Sequence, residues 1–162
     1  MSYFPTVAAF HAALDDLPFP EPTATDAALA RQAKLTKPAG SLGRLEEIAI
    51  FMAGWQGRSR PQAERVRAVV FAGNHGVTVR GVSAFPAEVT VQMVANFHAG
   101  GAAINALSSS CGADLSIVAL DLDRPTGDIT QGPAMSEEDC LAALNTGAAA
   151  VPADTQLLFV GE

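Results

Sequence analysis

The first 60 residues carry apolar side chains at the spacing typical of helices. Three helices are predicted here: one within residues 5–17, one over residues 23–37, and one that follows Ser41. Prolines in the segment 18–22 stop the first helix, and Thr23 with Asp26 has the spacing of a capping box for the second. The apolar face predicted for the third helix consists of Leu42, Leu45, Ile48, Ala49, Met52 and Ala53, and the helix is expected to end at Gly54 and Gly57.

From residue 66 onward, continuous apolar runs alternate with helical segments. The runs predict buried strands at 66–72, 115–120 and 156–160, with helices at 87–110 and 137–150 between them. A glycine pair at 100–101 marks where the first of these helices would break. This order predicts the α/β class, a parallel sheet with right-handed crossovers and flanking helices. The chain is therefore expected to comprise an N-terminal helical segment, 1–60, and a sheet region, 61–162.

Ligands of open parallel sheets bind beyond the carboxyl ends of the strands. The candidate loops are therefore those at 73–86 and 121–135, together with the C-terminus. The sequence stops directly after the third predicted strand, and three strands alone would leave an apolar sheet edge uncovered. We therefore expect the chain to be the first half of a longer protein.

Composition and charge limit the partners of the protein. The 162 residues are 49% hydrophobic and 17% charged, and a net charge of −7 argues against nucleic acid. Residues 31–80 carry a net +6 between acidic flanks. This basic segment is expected to pair with the acidic remainder, and an anionic ligand is the alternative. Cys111 and Cys140 lack zinc-site spacing, and no apolar run reaches the ~20 residues of a membrane span. We expect a reduced cytoplasmic protein that uses neither a metal nor a membrane.

The loop after the first predicted strand holds polar candidates. Asn74 and His75 stand between glycines, where the backbone can approach a ligand closely and both side chains can hydrogen-bond it. Bracing of the turn by the same two residues is the alternative. Ser83 and Phe85 follow in the same loop, and Gln92 lies one to two turns into the next helix. Gln92 would either reach back to a ligand or lie on the surface.

Two acidic groups are expected to be structural. The loop 121–128 superficially resembles the diphosphate-sugar motif of common phosphoribosyltransferases, but its acids are separated and Asp128 would repel a phosphate. It is predicted to be a solvated acidic loop. Glu46 and Glu47 are predicted to line a solvated helix face rather than to form a catalytic pair. Kinase, dinucleotide-binding and serine-hydrolase motifs do not occur in the sequence.

Several spaced segments together resemble the nicotinate-nucleotide:dimethylbenzimidazole phosphoribosyltransferase family. They are Lys37-Pro-Ala-Gly-Ser-Leu-Gly-Arg-Leu-Glu46, Gly73-Asn-His-Gly-Val77, Gly81-Val-Ser83, Gly132-Pro-Ala-Met-Ser136 and Phe159-Val-Gly-Glu162. They occur in the family's order, and matching positions run from about residue 10 to the end of the sequence. Several motifs in order are more specific than any one of them alone.

The resemblance implies a Rossmann-like sheet with a small helical subdomain, and a homodimer of the full-length protein. It implies transfer of phosphoribose from nicotinate mononucleotide to 5,6-dimethylbenzimidazole, giving α-ribazole 5′-phosphate and nicotinate for the cobalamin nucleotide loop, with no cofactor or metal. The family's general-base glutamate lies beyond this chain, so we expect no catalytic residue here and negligible turnover by the isolated chain. The expected substrate-binding residues are Asn74, His75, Ser83, Phe85, Gln92 and Glu162.

Two other interpretations stay open. A non-catalytic module would bind an aromatic base or nucleotide without reacting it, and a structural fragment would fold only with its missing half. If the isolated chain were active, Glu162 and Glu88 would be the suspected carboxylates. The proposed pocket requires that His75 and Glu162 emerge at one rim of the sheet.

Overall fold

The computed structural model describes residues 3–162 and contains a three-stranded parallel sheet. The strands are β1 (Val66–Gly73), β2 (Asp114–Leu120) and β3 (Leu157–Gly161), in the spatial order β2-β1-β3. The helices are α1 (Val7–Asp15), α2 (Pro22–Gln32), α3 (Arg44–Gln56), α4 (Glu88–His98), α5 (Ala103–Cys111) and α6 (Glu137–Ala149), with a 3₁₀ turn at Gly76–Arg80. The predicted α/β class and parallel sheet are confirmed.

The described chain divides into two compact units. One unit contains the sheet and comprises residues 3–12 together with Glu64–Glu162, and the other is the helical segment Ala13–Ala63. Within residues 3–162, no helix combines the length and the apolar character needed to cross a membrane.

The core of the sheet unit lies along β1, because this strand has neighbours on both sides. Val66, Ala68, Val69 and Ala72 of β1 are all buried. Helix α4 packs on β1 and β2, and α5 packs on β2. The predicted break between these helices is confirmed at Gly100, whose φ of 78° is readily available only to glycine.

An arginine of the central strand contacts acids beside both neighbouring strands. Arg67 donates from Nη1 to the carboxylate of Asp114, the first residue of β2. Its Nη2 lies 3.8 Å from a carboxylate oxygen of Asp154, just before β3. The amino ends of the three strands are therefore linked by side chains as well as by the backbone ladder.

In the helical unit, α2 and α3 pack against each other. The predicted capping box of Thr23 and Asp26 is wrong, since the helix begins at Pro22 and its N-cap is Glu21. The Glu21 carboxylate accepts hydrogen bonds from the Thr23 amide and hydroxyl. Proline suits the first helical turn because its missing N–H has no intrahelical partner there. Helix α2 ends at Gln32 rather than near 37, and tight turns follow.

The predicted apolar face of α3 is only partly buried. Ala53 is fully buried, whereas Leu42, Leu45 and Ile48 are exposed. Gly54 was expected to end the helix, but it lies inside the helix and is buried. A small residue is needed at this position because a Cβ on Gly54 would lie 2.5 Å from Thr25 Oγ1 and 3.1 Å from Pro20 Cβ. Gly57, in the left-handed region with φ 62°, ends the helix as predicted.

Candidate functional site

His75 and Glu162 meet at the carboxyl edge of the sheet. Strands β1 and β3 are parallel neighbours, with Val70 paired to Gly161, so the residues after them leave the sheet side by side. His75 Nε2 lies 2.9 Å from Glu162 Oε1. Since β2 lies on the other side of β1, this edge is a topological switch point, the place where open α/β sheets bind ligands. The predicted shared rim is confirmed.

The loop after β2 joins the loop after β1 and fixes His75. His75 and Thr126 form an isolated parallel bridge. The Thr126 amide donates to Asn74 O at 3.0 Å, and the Gly76 amide donates to Thr126 O at 2.8 Å. Thr126 Oγ1 lies 3.4 Å from His75 Nδ1. Both ring nitrogens of His75 therefore face polar groups of the protein.

Asn74 is buried and braces the same pair of loops. Its Nδ2 donates to Leu122 O at 2.9 Å. Because this amide group is satisfied by the backbone of the neighbouring loop, the bracing role considered from the sequence is present. Asn74 also lines the cavity described below, so a role in ligand binding stays a prediction.

Ser83 and Phe85 form a local turn at the rim. The Ser83 hydroxyl donates to Phe85 O at 2.9 Å, and the Phe85 amide lies 3.3 Å from the same hydroxyl oxygen. Phe85 is 67% exposed and belongs to the lining of the cavity described below. An exposed phenyl ring at the mouth of a cavity provides a surface on which a flat aromatic ligand can stack.

A cavity of about 510 Å³ lies between the rim and α4. Its lining includes Phe71, Asn74, His75, Ser83, Phe85, Met93, Phe97 and Glu162. A second cavity, of about 440 Å³, shares Phe71, Gly73, His75 and Glu162 with it. Most of the lining is apolar, and Glu162 is the single acidic residue among the described residues of the lining. Five of the six predicted binding residues thus lie together, with their roles still predictions.

Gln92 lies apart from this group. It is exposed on α4 and does not belong to the cavity lining, so its predicted reach toward a ligand stays a prediction. Glu88, in the first turn of the same helix, is also exposed and outside the lining.

The helical unit contains a separate cavity of about 500 Å³ beside Lys37 and Glu46. Glu46 was predicted on a solvated face, which is wrong, because its side chain is only 17% exposed and pairs with Lys37 Nζ at 2.6 Å. The hydrogen bond from Lys37 holds the pKa of the Glu46 carboxyl below its ordinary value of 4.5, and the Leu42 amide adds to this effect. Glu47 is exposed as predicted and pairs with Arg44.

The rim, and not the cavity of the helical unit, is the candidate site, because the rim lies at the switch point of a parallel sheet.

The loop 121–128 was predicted to be solvated and acidic, which is wrong for Asp128. The Asp128 side chain is only 15% exposed and lies 2.8 Å from Arg80 Nε. Hydrogen bonds from Thr130 hold the pKa of the Asp128 carboxyl below its ordinary value, and the bond from Arg80 adds to this effect. Thr126 was not among the residues predicted from the sequence, because its contact with His75 depends on a bridge between two separate loops.

Residues 3–162 contain no cluster of side chains suited to hold a metal ion, either at this edge of the sheet or elsewhere. Across that range, His, Cys, Asp and Glu side chains do not assemble into a group of three that could hold an ion. Both cysteines are free and exposed.

The sheet and the cavity at its switch point define an α/β protein of the Rossmann-like class, with its candidate site where such folds bind small ligands. Residues 17–162 match the DBI_PRT phosphoribosyltransferase family. The chain belongs to this family, and the predicted resemblance is confirmed.

Named relatives agree with this assignment. The chain is 63% identical over 162 residues to the nicotinate-nucleotide–dimethylbenzimidazole phosphoribosyltransferase of Novosphingobium aromaticivorans, covering 100% of this chain and 48% of that protein. Identity to the protein of the same name from Cereibacter sphaeroides is 57% over 159 residues, with 98% and 47% covered. The crystal structure of CobT from Thermus thermophilus matches with a TM-score of 0.74 at 36% identity, covering 86% of this chain and 47% of that one. The chain spans about half the length of the curated relatives it matches.

Proposed function

We propose that this chain supplies the aromatic-base pocket of a phosphoribosyltransferase that moves phosphoribose from nicotinate mononucleotide to 5,6-dimethylbenzimidazole. The products are α-ribazole 5′-phosphate and nicotinate, and the reaction serves the cobalamin nucleotide loop. The names of the relatives support the reaction. One observation carries the part assigned to this chain: an apolar cavity at the switch point in which Glu162, the one acidic residue of the lining within residues 3–162, lies against His75.

The cavity suits an uncharged aromatic heterocycle better than an anion. Phe71, Phe85 and Phe97 offer ring surfaces, and Glu162 adds one carboxylate to the lining. A phosphate group placed here would meet the negative charge of Glu162. The pocket is therefore proposed for the base, and the phosphoribosyl group is proposed to bind elsewhere.

The chemistry exchanges one carbon–nitrogen bond for another. A ring nitrogen of dimethylbenzimidazole forms a bond to the anomeric carbon while the bond from that carbon to the nicotinate nitrogen breaks. The second ring nitrogen of the base gives its proton to a carboxylate. The family resemblance assigns this general base to a glutamate outside the 162 residues, so Glu162 is proposed as a binding group. The positive charge of the nicotinate ring makes it a good leaving group, so the reaction needs no metal.

Calorimetric titration with 5,6-dimethylbenzimidazole tests the pocket. We expect saturable binding by the chain, weakened roughly ten-fold in Phe85→Ala because stacking and buried area are lost. Phe19→Ala removes an exposed phenyl ring from the helical unit and serves as the matched control, with unchanged affinity expected. Equal affinities for both variants, or no saturable binding, would contradict the assignment.

Transfer is tested in a chimera that joins residues 1–162 to the remaining half of the Novosphingobium aromaticivorans relative. The chimera is expected to form α-ribazole 5′-phosphate from nicotinate mononucleotide and dimethylbenzimidazole, and the 162 residues alone to form almost none. Phe85→Ala in the chimera should raise the KM for the base more than it lowers kcat. Saturable binding without product in the chimera would favour a non-catalytic module.

Homodimer assembly and a cytoplasmic site of action belong to the same proposal, and the family resemblance supports the homodimer. The free thiols of Cys111 and Cys140 agree with a reducing compartment. Sedimentation of the chimera over a range of concentrations tests the dimer, and a monomer throughout would contradict it.

A further inference from the structure

We propose that Thr126 is a positioning residue for Glu162 and that it acts through His75. The Thr126 hydroxyl, the His75 imidazole and the Glu162 carboxylate come from three separate segments and form two consecutive contacts, called the hydrogen-bonded line below. Thr126 Oγ1 lies 3.4 Å from His75 Nδ1, and His75 Nε2 lies 2.9 Å from Glu162 Oε1. The effect on base binding rests on the proposed function, whereas the hydrogen-bonded line itself does not.

The backbone holds Thr126 in place independently of its side chain. Two backbone hydrogen bonds surround it, from its own amide to Asn74 O and from the Gly76 amide to Thr126 O. The approach is so close that a Cβ on Gly76 would lie 2.4 Å from Thr126 O. The Thr126 hydroxyl therefore faces the imidazole because of backbone geometry, and a change at its side chain leaves this scaffold in place.

The chemistry of the three groups favours one placement of the hydrogens in the neutral state. An ionised carboxylate only accepts hydrogen bonds, so His75 Nε2 must carry the ring hydrogen that faces Glu162. In a neutral imidazole the other nitrogen, Nδ1, is then an acceptor, to which the Thr126 hydroxyl can donate. Valine at position 126 would keep the branched shape of threonine and lose this donor.

The hydroxyl can also serve the protonated imidazole. Thr126 Oγ1 lies 3.4 Å from Gly127 O, so its hydrogen can turn to that carbonyl while its oxygen accepts from Nδ1–H. His75 then keeps its contact with Glu162 in both protonation states. The neighbouring Arg80–Asp128 ion pair joins the same two loops. A hydroxyl that both donates and accepts is required for this role, which serine can fill.

Nitrogen-15 NMR of the full 162-residue chain tests the line without a ligand. In mildly alkaline buffer, we expect His75 to carry its hydrogen on Nε2 and to show a hydrogen-bonded, unprotonated Nδ1. Variants His11→Gln and His98→Gln assign the other two histidine signals. Thr126→Val should move the Nδ1 resonance to the position of an unbonded nitrogen, and Thr126→Ser should restore it. A mixture of tautomers in the wild-type chain, or an Nδ1 signal indifferent to Thr126→Val, would overturn the proposal.

Titration with 5,6-dimethylbenzimidazole tests the consequence for Glu162. We expect Thr126→Val to weaken binding about five-fold, as for the loss of one ordinary hydrogen bond, and Thr126→Ser to bind like the wild type. If the base binds to none of the proteins while the NMR result holds, the proposed function fails and the positioning line stands. If the base binds equally to wild type and Thr126→Val, Thr126 does not position Glu162 for binding. The inference then fails, whereas the proposed base pocket stands.

Discussion

The Nε2 atom of His75 lies 2.9 Å from Oε1 of Glu162, although the two residues are 87 positions apart in the chain. The contact exists because β1 and β3 run in parallel as nearest neighbours and each residue follows the end of its strand. Strand direction and strand order together therefore create the candidate site. The third residue of the candidate site, Thr126, comes from the loop after β2, the other neighbour of β1.

The junction of the two loops at Gly76 has no room for a side chain. An added Cβ would lie 2.4 Å from Thr126 O and 2.8 Å from Asp128 N, both of them backbone atoms. Gly76→Ala should therefore lower the free energy of unfolding by about 2 kcal/mol, because the backbone must move apart. Urea denaturation measures the change.

The matched control for this prediction is Gly132→Ala, in the same region of the chain. A Cβ at Gly132 meets no atom within 4 Å. Its substitution should change stability by no more than roughly 0.5 kcal/mol. Equal stabilities for the Gly76 and Gly132 variants would show that the two loops are not in close contact.

Asn74 provides a second test of the loop junction. Its buried amide donates to Leu122 O, so Asn74→Asp would place a carboxylate against a carbonyl oxygen. We expect a loss of about 1–3 kcal/mol at neutral pH. The loss should shrink in acid, because a protonated carboxyl regains a donor for Leu122 O. Urea denaturation of wild type and variant at neutral and acidic pH measures both effects, and a variant as stable as the wild type at neutral pH would contradict the contact.

The sequence was sufficient to predict the strands and their direction. Continuous apolar runs are typical of strands buried on both faces, and the runs 66–72, 115–120 and 156–160 each correspond to a strand of the sheet. The predicted burial is wrong for β3, where Phe159 and Val160 are exposed. Parallel direction then predicted that the residues after β1 and β3 emerge at one edge. His75 and Glu162 could be predicted as neighbours for that reason.

Other features depend on tertiary contacts that no local pattern encodes. Thr126 lies beside His75 only because a backbone bridge joins two loops far apart in sequence. The burial of Gly54 depends on the approach of Pro20 and Thr25, so a terminating role for this glycine was a reasonable but wrong prediction. Glu46 resembled a solvated helix residue because its partner, Lys37, lies in the preceding turn region.

The Lys37–Glu46 pair should make part of the stability depend on acid pH. The folded-state pKa of Glu46 lies below its ordinary value of 4.5, so the stabilisation is fully present above that value. It is lost as pH falls through the lowered folded-state pKa. Glu46→Gln should therefore be less stable than the wild type at neutral pH, and the difference should vanish in acid.

Urea denaturation over a pH series measures this difference. Glu47→Gln is the matched control, because Glu47 is an exposed neighbour on the same helix. Asp128 and Asp139 also have lowered pKa values, so wild type and variant share their acid loss and the comparison removes it. A gap between wild type and Glu46→Gln that stays constant down to strongly acid pH would show that the ion pair does not contribute.

The packing of α2 on α3 can be tested at Gly54, where two opposing effects compete. Alanine is a better helix former than glycine by about 1 kcal/mol, but its Cβ would lie 2.5 Å from Thr25 Oγ1. Thr25 is held there by a hydrogen bond from its hydroxyl to Glu21 O at 3.1 Å, so it yields only at a cost. We expect Gly54→Ala to destabilise the wild type by about 1–2 kcal/mol.

In a Thr25→Ala background the same change should lower the free energy of unfolding much less, because the clashing oxygen is gone and the helix propensity of alanine remains. A double-mutant cycle by thermal unfolding measures this coupling, and additive effects of the two substitutions would mean that the two helices do not meet at this position.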